Sequence, residues 1–258
     1  MRRIIIEEPV SRIAVWSRRV AMFALAVAAI AAAIGHLPDV EPRATLSVFA
    51  AALVLAGVAM LMAVAGLATI WRLGRGGAGQ AVAALLIGAG LLAYPLWLAV
   101  AALRLPPISD ISTDLVEPPT FSRSARAQAA RGGRTRPEPT AEMREAQRRF
   151  YPGIEPIVLD VEPEDAFKLV LKTAQAMRWR IVEETRPGGR SGVGHIAALD
   201  RTLFLGLPDD IAIRLRPLVG QTRVDIRSAS RVGRHDLGKN AARIHAFSEE
   251  LLTQAEAR

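Results

Sequence analysis

The chain has no cysteine, which excludes disulfides, thiolate nucleophiles and cysteine zinc sites. Lysine is almost missing as well: Lys168, Lys172 and Lys239 are the only ones, so the net charge of +8 is carried by arginine. Histidines are few and show no HxxxH or HExxH spacing, and no stretch spells out a catalytic or cofactor motif. Neither a metal nor a cofactor is therefore expected. Aromatic residues make up 5% of the chain, and only Phe150, Tyr151, Trp179, Phe204 and a few others offer rings on which a base would stack. With the placement outside the cytoplasm derived below, that argues against nucleic acid as a partner despite a pI of about 11.0.

What is present is hydrophobic. The mean hydropathy of +0.23 points to membrane segments. Three apolar runs, about residues 20–37, 46–70 and 81–103, are long enough to cross a bilayer and contain no Asp, Glu, Lys or Arg. They lack the intramembrane ionisable relay of pumps and transporters and read as an anchor. Cleavage of the first run as a signal peptide is the alternative to a retained helix. Arg2, Arg3, Arg12, Arg18 and Arg19 precede the first run, and Arg72 and Arg75 lie in the second loop, against Arg43 in the first loop and Arg104 after the third run. The positive-inside rule then places the N-terminus in the cytoplasm and everything after Arg104 in the periplasm of a bacterial inner membrane.

The expected plan is an anchor over 1–104, a motif segment with an arginine-rich linker over 105–150, and a periplasmic α+β domain over 151–258. Residues 122–139 have no periodicity and read as a mobile linker. From Tyr151 the pattern runs strand (154–160), helix (163–178), strands over 179–186 and 195–202, a hairpin, and a last helix capped by Asp236. It predicts a mainly antiparallel sheet with two helices on its apolar face and its other face open. In the hairpin, Ile211, Ile213 and Leu215 alternate with Ala212, Arg214 and Arg216, and Val224 and Ile226 alternate with Arg223, Asp225 and Arg227. A turn at Val219-Gly220 sets Ile213 against Ile226, Leu215 against Val224 and Arg214 against Asp225.

The segments ISDISTDLVEPP, YPGIEP, DDIAIRLRP and RVDIRSASRVGRHDLGKNAARIHAF resemble the bacterial family catalogued as domain of unknown function 1499, over about residues 105–252. The resemblance implies this architecture, including the three-span anchor, and carries no agreed activity. From the residues themselves, an anion site is the candidate. Arg214, Arg216, Arg223, Arg227 and Arg231 share the outward face, with Arg234, Lys239, Asn240 and a helix N-terminus beside them. Asp225 is the expected structural partner of Arg214, and Arg216 and Arg227 are expected to be dispensable to the fold. An anionic lipid, a glycan or an envelope protein would be the partner, in addition to membrane lipid. The alternatives are a solvated sheet of ion pairs, with Asp110 and Asp114 capping turns and pairing with arginines, and a periplasm-facing hydrolase drawing on the acids Asp110, Asp114, Asp209, Asp210 and Asp236 with His195 and His235.

Overall fold

A computed structural model of the full chain describes residues 9–37, 40–133, 137–188 and 192–257. Arg2 and Arg3, the middle of the arginine-rich linker, half of the PGGRSG turn and Arg258 lie outside the described residues. Backbone contacts divide the chain into two compact units, Met1–Val100 with Leu203–Gly206, and Ala101–Thr202 with Leu207–Arg258.

The first unit holds α1 (Arg12–Gly35), α2 (Pro42–Leu73) and most of α3 (Ala78–Ala102), all long and apolar enough to cross a membrane. Small residues let α1 and α2 approach at backbone distance: Ala14, Ala21, Ala28 and Ala31 face Ala52, Ala59, Ala63 and Gly66. A methyl group on Gly66 would lie about 3.1 Å from the Ala14 backbone, a tight contact that glycine avoids. Gly74, at φ 63°, closes α2 in the left-handed conformation.

The second unit is an α+β domain built on a six-stranded antiparallel sheet. Its elements are β1 (Asp110–Ser112), α4 (Ala125–Ala130), α5 (Ala141–Phe150), β2 (Ile157–Leu159), α6 (Pro163–Ala176), β3 (Arg180–Thr185), β4 (Gly194–Arg201), β5 (Pro208–Leu218), β6 (Gln221–Ser230) and α7 (Lys239–Glu256). Strands β6, β5, β4 and β3 are sequential neighbours, and β1 and β2 both pair with the free edge of β6. The hairpin has the register that its alternation dictates: Ile213 opposes Ile226, Leu215 opposes Val224 and Arg214 opposes Asp225. Gly220 supplies the positive φ, 70°, of the two-residue turn.

Helices α6 and α7 cover the apolar face. Phe167 and Val170 of α6 and Ile244, Phe247 and Leu251 of α7 meet Ile211, Ile213, Leu215 and Ile226 in one core. Trp179, entering β3, stacks on Phe247 with ring centres 5.1 Å apart. Two expectations need correcting. Residues 122–139 are not uniformly without structure, since α4 lies within them and Ser124 caps it through the amide of Ala127. The outward face of the sheet is not open either, because the chain between β1 and α4 runs across it.

Candidate functional site

The charged face is built by alternation within the hairpin and then completed from a hundred residues away. Arg214 and Arg216 on β5 and Arg223, Asp225 and Arg227 on β6 all project opposite to the core. In register, Arg216 stands directly across from Arg223, a like-charge pair that is unfavourable unless something lies between them. Asp114 does. Its Oδ2 accepts hydrogen bonds from Nη2 of Arg216 at 2.7 Å, of Arg223 at 2.9 Å and of Arg214 at 3.2 Å. Asp225, fully buried, takes Nη2 of both Arg214 and Arg216 at 2.9 Å and Nε of Arg223 at 2.8 Å. Glu117 adds a third carboxylate, 2.9 Å from Arg216 Nη1, and its carbonyl accepts from Arg214. Three guanidinium groups thus face three carboxylates.

The segment that brings Asp114 and Glu117 is a strap over residues 113–122. Thr113 fastens its start, donating its amide to the Ile226 carbonyl while its hydroxyl accepts the Ile226 amide at 2.9 Å. Asp114 then turns the chain by accepting the amides of Val116 and Glu117 on Oδ1. Burial pushes the Asp114 carboxyl up, but those two amides together with Arg216 and Arg223 outweigh it and hold the group below the usual carboxylate value.

Arg227 is the deepest of the arginines, 2% exposed. It grips Asp110 with Nε at 2.9 Å and Nη2 at 2.8 Å, and donates to the carbonyls of Pro119 and Pro137. The Phe121 ring lies 4.7 Å from its central carbon. Arg227 therefore belongs to the buried fabric of the domain, contrary to the expectation of a dispensable outward side chain. Beyond Phe121, Ser122 and Ser124 both donate to Glu183 on β3, and Arg131 donates to the Ser122 carbonyl. The bond from Ser122 holds the Glu183 carboxyl below its usual value, against burial.

The remaining candidates fall elsewhere. Arg231 pairs with Asp210 at 2.7 Å. Asp200 and Asp209, which oppose each other in the β4–β5 register, share Arg243 of α7 at 2.7 and 2.6 Å. Asn240 is fully buried; its amide nitrogen donates to the Ser109 carbonyl and Ser230, and its oxygen accepts from Ser228 and Arg243. The start of α7 already has its anion, since Asp236 accepts the amides of Gly238 at 3.0 Å and Asn240 at 2.9 Å. Burial raises the Asp236 carboxyl above its usual value in spite of those bonds. His195 lines a small cleft with Thr120, Ser122, Glu183 and Thr185, its imidazole held below the usual value by burial and by Arg214. No group of three or more metal-ligating side chains occurs among the described residues.

Arg234 and Lys239 differ from the rest. No carboxylate among the described residues pairs with either, and Arg234 is exposed. Between them, His235 reaches back to the residues by which the chain leaves α3. Its Nε2 lies 3.2 Å from the Ala102 carbonyl and 3.0 Å from that of Leu105, while Nδ1 accepts the Leu237 amide. The exposed Arg104 stands in the same short stretch.

Sequence reasoning missed Glu117, Gln147 and Arg243. Gln147 of α5 completes the edge of β1 as a strand would, accepting the Ser112 amide and donating to the Ser112 carbonyl. Arg243 had a legible signal, being a charged residue next to Ile244 and Phe247 on the inward stripe of α7.

Three apolar helices long enough to span a membrane, followed by an antiparallel α+β domain whose charged face is closed by a strap of acids, define a membrane-associated domain protein. Its family model, described as Protein of unknown function (DUF1499), matches residues 110–251, more than half of the chain, and the chain belongs to that family. The match opens on Asp110, so the strap that neutralises the face lies within the family's unit. No curated protein matches the chain.

Proposed function

We propose that this is a multi-pass protein of a bacterial inner membrane whose second unit stands in the periplasm and acts without catalysis, binding an anionic envelope component at the membrane surface. The component is of the anionic phospholipid class, met by Arg104, Arg234 and Lys239. The observation that carries the reading is the His235 contact. Because its ring is bonded to the backbone of Ala102 and Leu105, the 233–239 loop is tied to the point where the chain leaves its last apolar helix. Basic side chains within a Debye length of an anionic surface contribute about 1 kcal/mol each. The five arginines of the sheet are by contrast already matched by acids of the same chain, and the acids proposed for hydrolysis are held by arginines or backbone amides. Both facts favour the 233–239 loop over the sheet as the place where a ligand is met.

In bilayer discs of phosphatidylglycerol the amides of residues 232–239 should exchange more slowly than in discs of phosphatidylcholine, and raised salt should abolish the difference. Arg234→Glu with Lys239→Glu should abolish it too. Equal exchange in both lipids at low salt contradicts the reading. Orientation is tested separately: an enzyme active only in the periplasm should work when fused after Arg258 and fail when fused after Arg75, and the reverse would overturn the topology.

A further inference from the structure

The first unit contains a crevice of about 510 Å³, whose only polar lining side chain is Tyr94. Its origin is a change in packing along α3. The first half of that helix meets α1 and α2 through Ala81, Ala84 and Gly88, and a methyl on Gly88 would run into Met60. Past Gly88 no residue of α3 is buried, and Pro95 removes a rung of its hydrogen-bond ladder. Leu91 still packs against Ala28, Ala31, Phe49 and Ala52, and beside that contact space remains between Leu25, Ala29 and Ala32 on one side and Gly90 and Tyr94 on the other. Gly90 opens onto the same space, and a Cβ on it would meet no atom within 4 Å. One end is closed by Phe49 and by Phe204 of the Leu203–Gly206 segment, whose rings lie 5.6 Å apart, with Tyr94 5.8 Å from Phe204.

We propose that this crevice is a binding site for one acyl chain of a membrane phospholipid, held as a retained ligand of the helical unit. The inference rests on the reading of α1, α2 and α3 as membrane spans, and not on the orientation of the chain or on the basic loop. A space with a single polar side chain offers fewer than the two to four partners that ordered water needs, and an unfilled one forfeits the dispersion contacts of its walls. The crevice opens sideways between helices whose outer residues, such as Leu25 and Leu86, are exposed and apolar, so in a bilayer the molecules at its mouth are lipid tails. Its closed end carries the aromatic group, Tyr94 stacking on Trp97, that marks a membrane–water boundary. A tail slipping in sideways from the bilayer would lie with its ester group toward that aromatic end, beside Tyr94.

The test is native mass spectrometry of the full chain, extracted from vesicles of phosphatidylethanolamine and phosphatidylglycerol and activated until loosely held lipid is stripped. The parent protein should retain one diacyl phospholipid. Gly90→Leu, which places a side chain in the open space, should lower the retained fraction about tenfold, whereas Leu61→Ala, on the exposed side of α2, should not change it. Circular dichroism establishes that the Gly90 variant keeps its helices, and Ala29→Leu gives the same expectation from the opposite wall. A parent protein that sheds all lipid, a retained mass without acyl chains, or Gly90→Leu and Ala29→Leu variants that keep lipid as well as the parent would each overturn the proposal. A failure of the lipid-dependent exchange at residues 232–239 with the tail still retained would count against the headgroup reading alone.

Discussion

Arg227→Ala is expected to destabilise the second unit by about 3–5 kcal/mol, because it strands a buried carboxylate. Asp110 is only 5% exposed, and both of its oxygens are taken by Arg227. The same truncation frees the carbonyls of Pro119 and Pro137 and removes the cation from beneath Phe121. It therefore loosens the strap and the approach to α5 together. Arg227→Lys should recover little, since an ammonium group has neither the two-pronged fit to a carboxylate nor the flat face that stacks on a ring. The measurement is the opening free energy of β5 and β6 amides by native-state hydrogen exchange in the full chain. A loss under about 1 kcal/mol would place Arg227 with ordinary surface ion pairs and refute the assignment.

Asp225→Ala should be comparably severe, for the opposite reason. Asp225 is the one fully buried carboxylate among Arg214, Arg216 and Arg223. Without it three guanidinium groups converge on Asp114 and on the largely exposed Glu117. Arg216 and Arg223, directly opposed in register, then keep only Asp114 between them, and about 3–5 kcal/mol of stability should go. The lattice also sets an acid limit. The folded carboxyl of Asp114 titrates below its unfolded value, so its contribution is present above the ordinary carboxylate range and is lost as the pH falls through the lowered folded value. Below that range the strap amides of Val116 and Glu117 should exchange before those of the core strands.

Much of this domain was legible because its hairpin is strict in alternation: a slip of one residue would have put Arg214 in the core, so the register followed from the pattern alone. Asp236 announced the start of α7, although it sits two residues before the cap and serves as the helix's own anion. The strap was legible only in part: Asp110 and Asp114 were expected to cap turns and pair with arginines, and both pair with arginines while Asp114 also caps a turn, but which arginines they meet was not encoded locally. Asp110, Asp114 and Glu117 lie among prolines without periodicity, and their partners are about a hundred residues later in the chain, a separation that no local pattern encodes. An open arginine face was the natural reading of the hairpin by itself, and the face is filled only by a segment whose destination tertiary structure decides. Helix α5 does carry a local signal, Thr140 at its cap and Arg148 and Arg149 at its end, which the arginine-rich composition before it obscures. Arg243 became meaningful only after the β4–β5 register had set Asp200 against Asp209.

The claim that these arginines are neutralised within the chain is tested most directly by a double-mutant cycle on Arg214 and Asp225, read by hydrogen exchange of β5 and β6. Arg214→Ala alone should destabilise the unit, and in the Asp225→Ala background the same change should cost much less or restore stability, since it then relieves repulsion. The offset should be partial because Arg216 and Arg223 also hold Asp225. A coupling of about 1–3 kcal/mol is predicted. Additivity within about 0.5 kcal/mol would contradict the account and return the arginine face to the role of an open site.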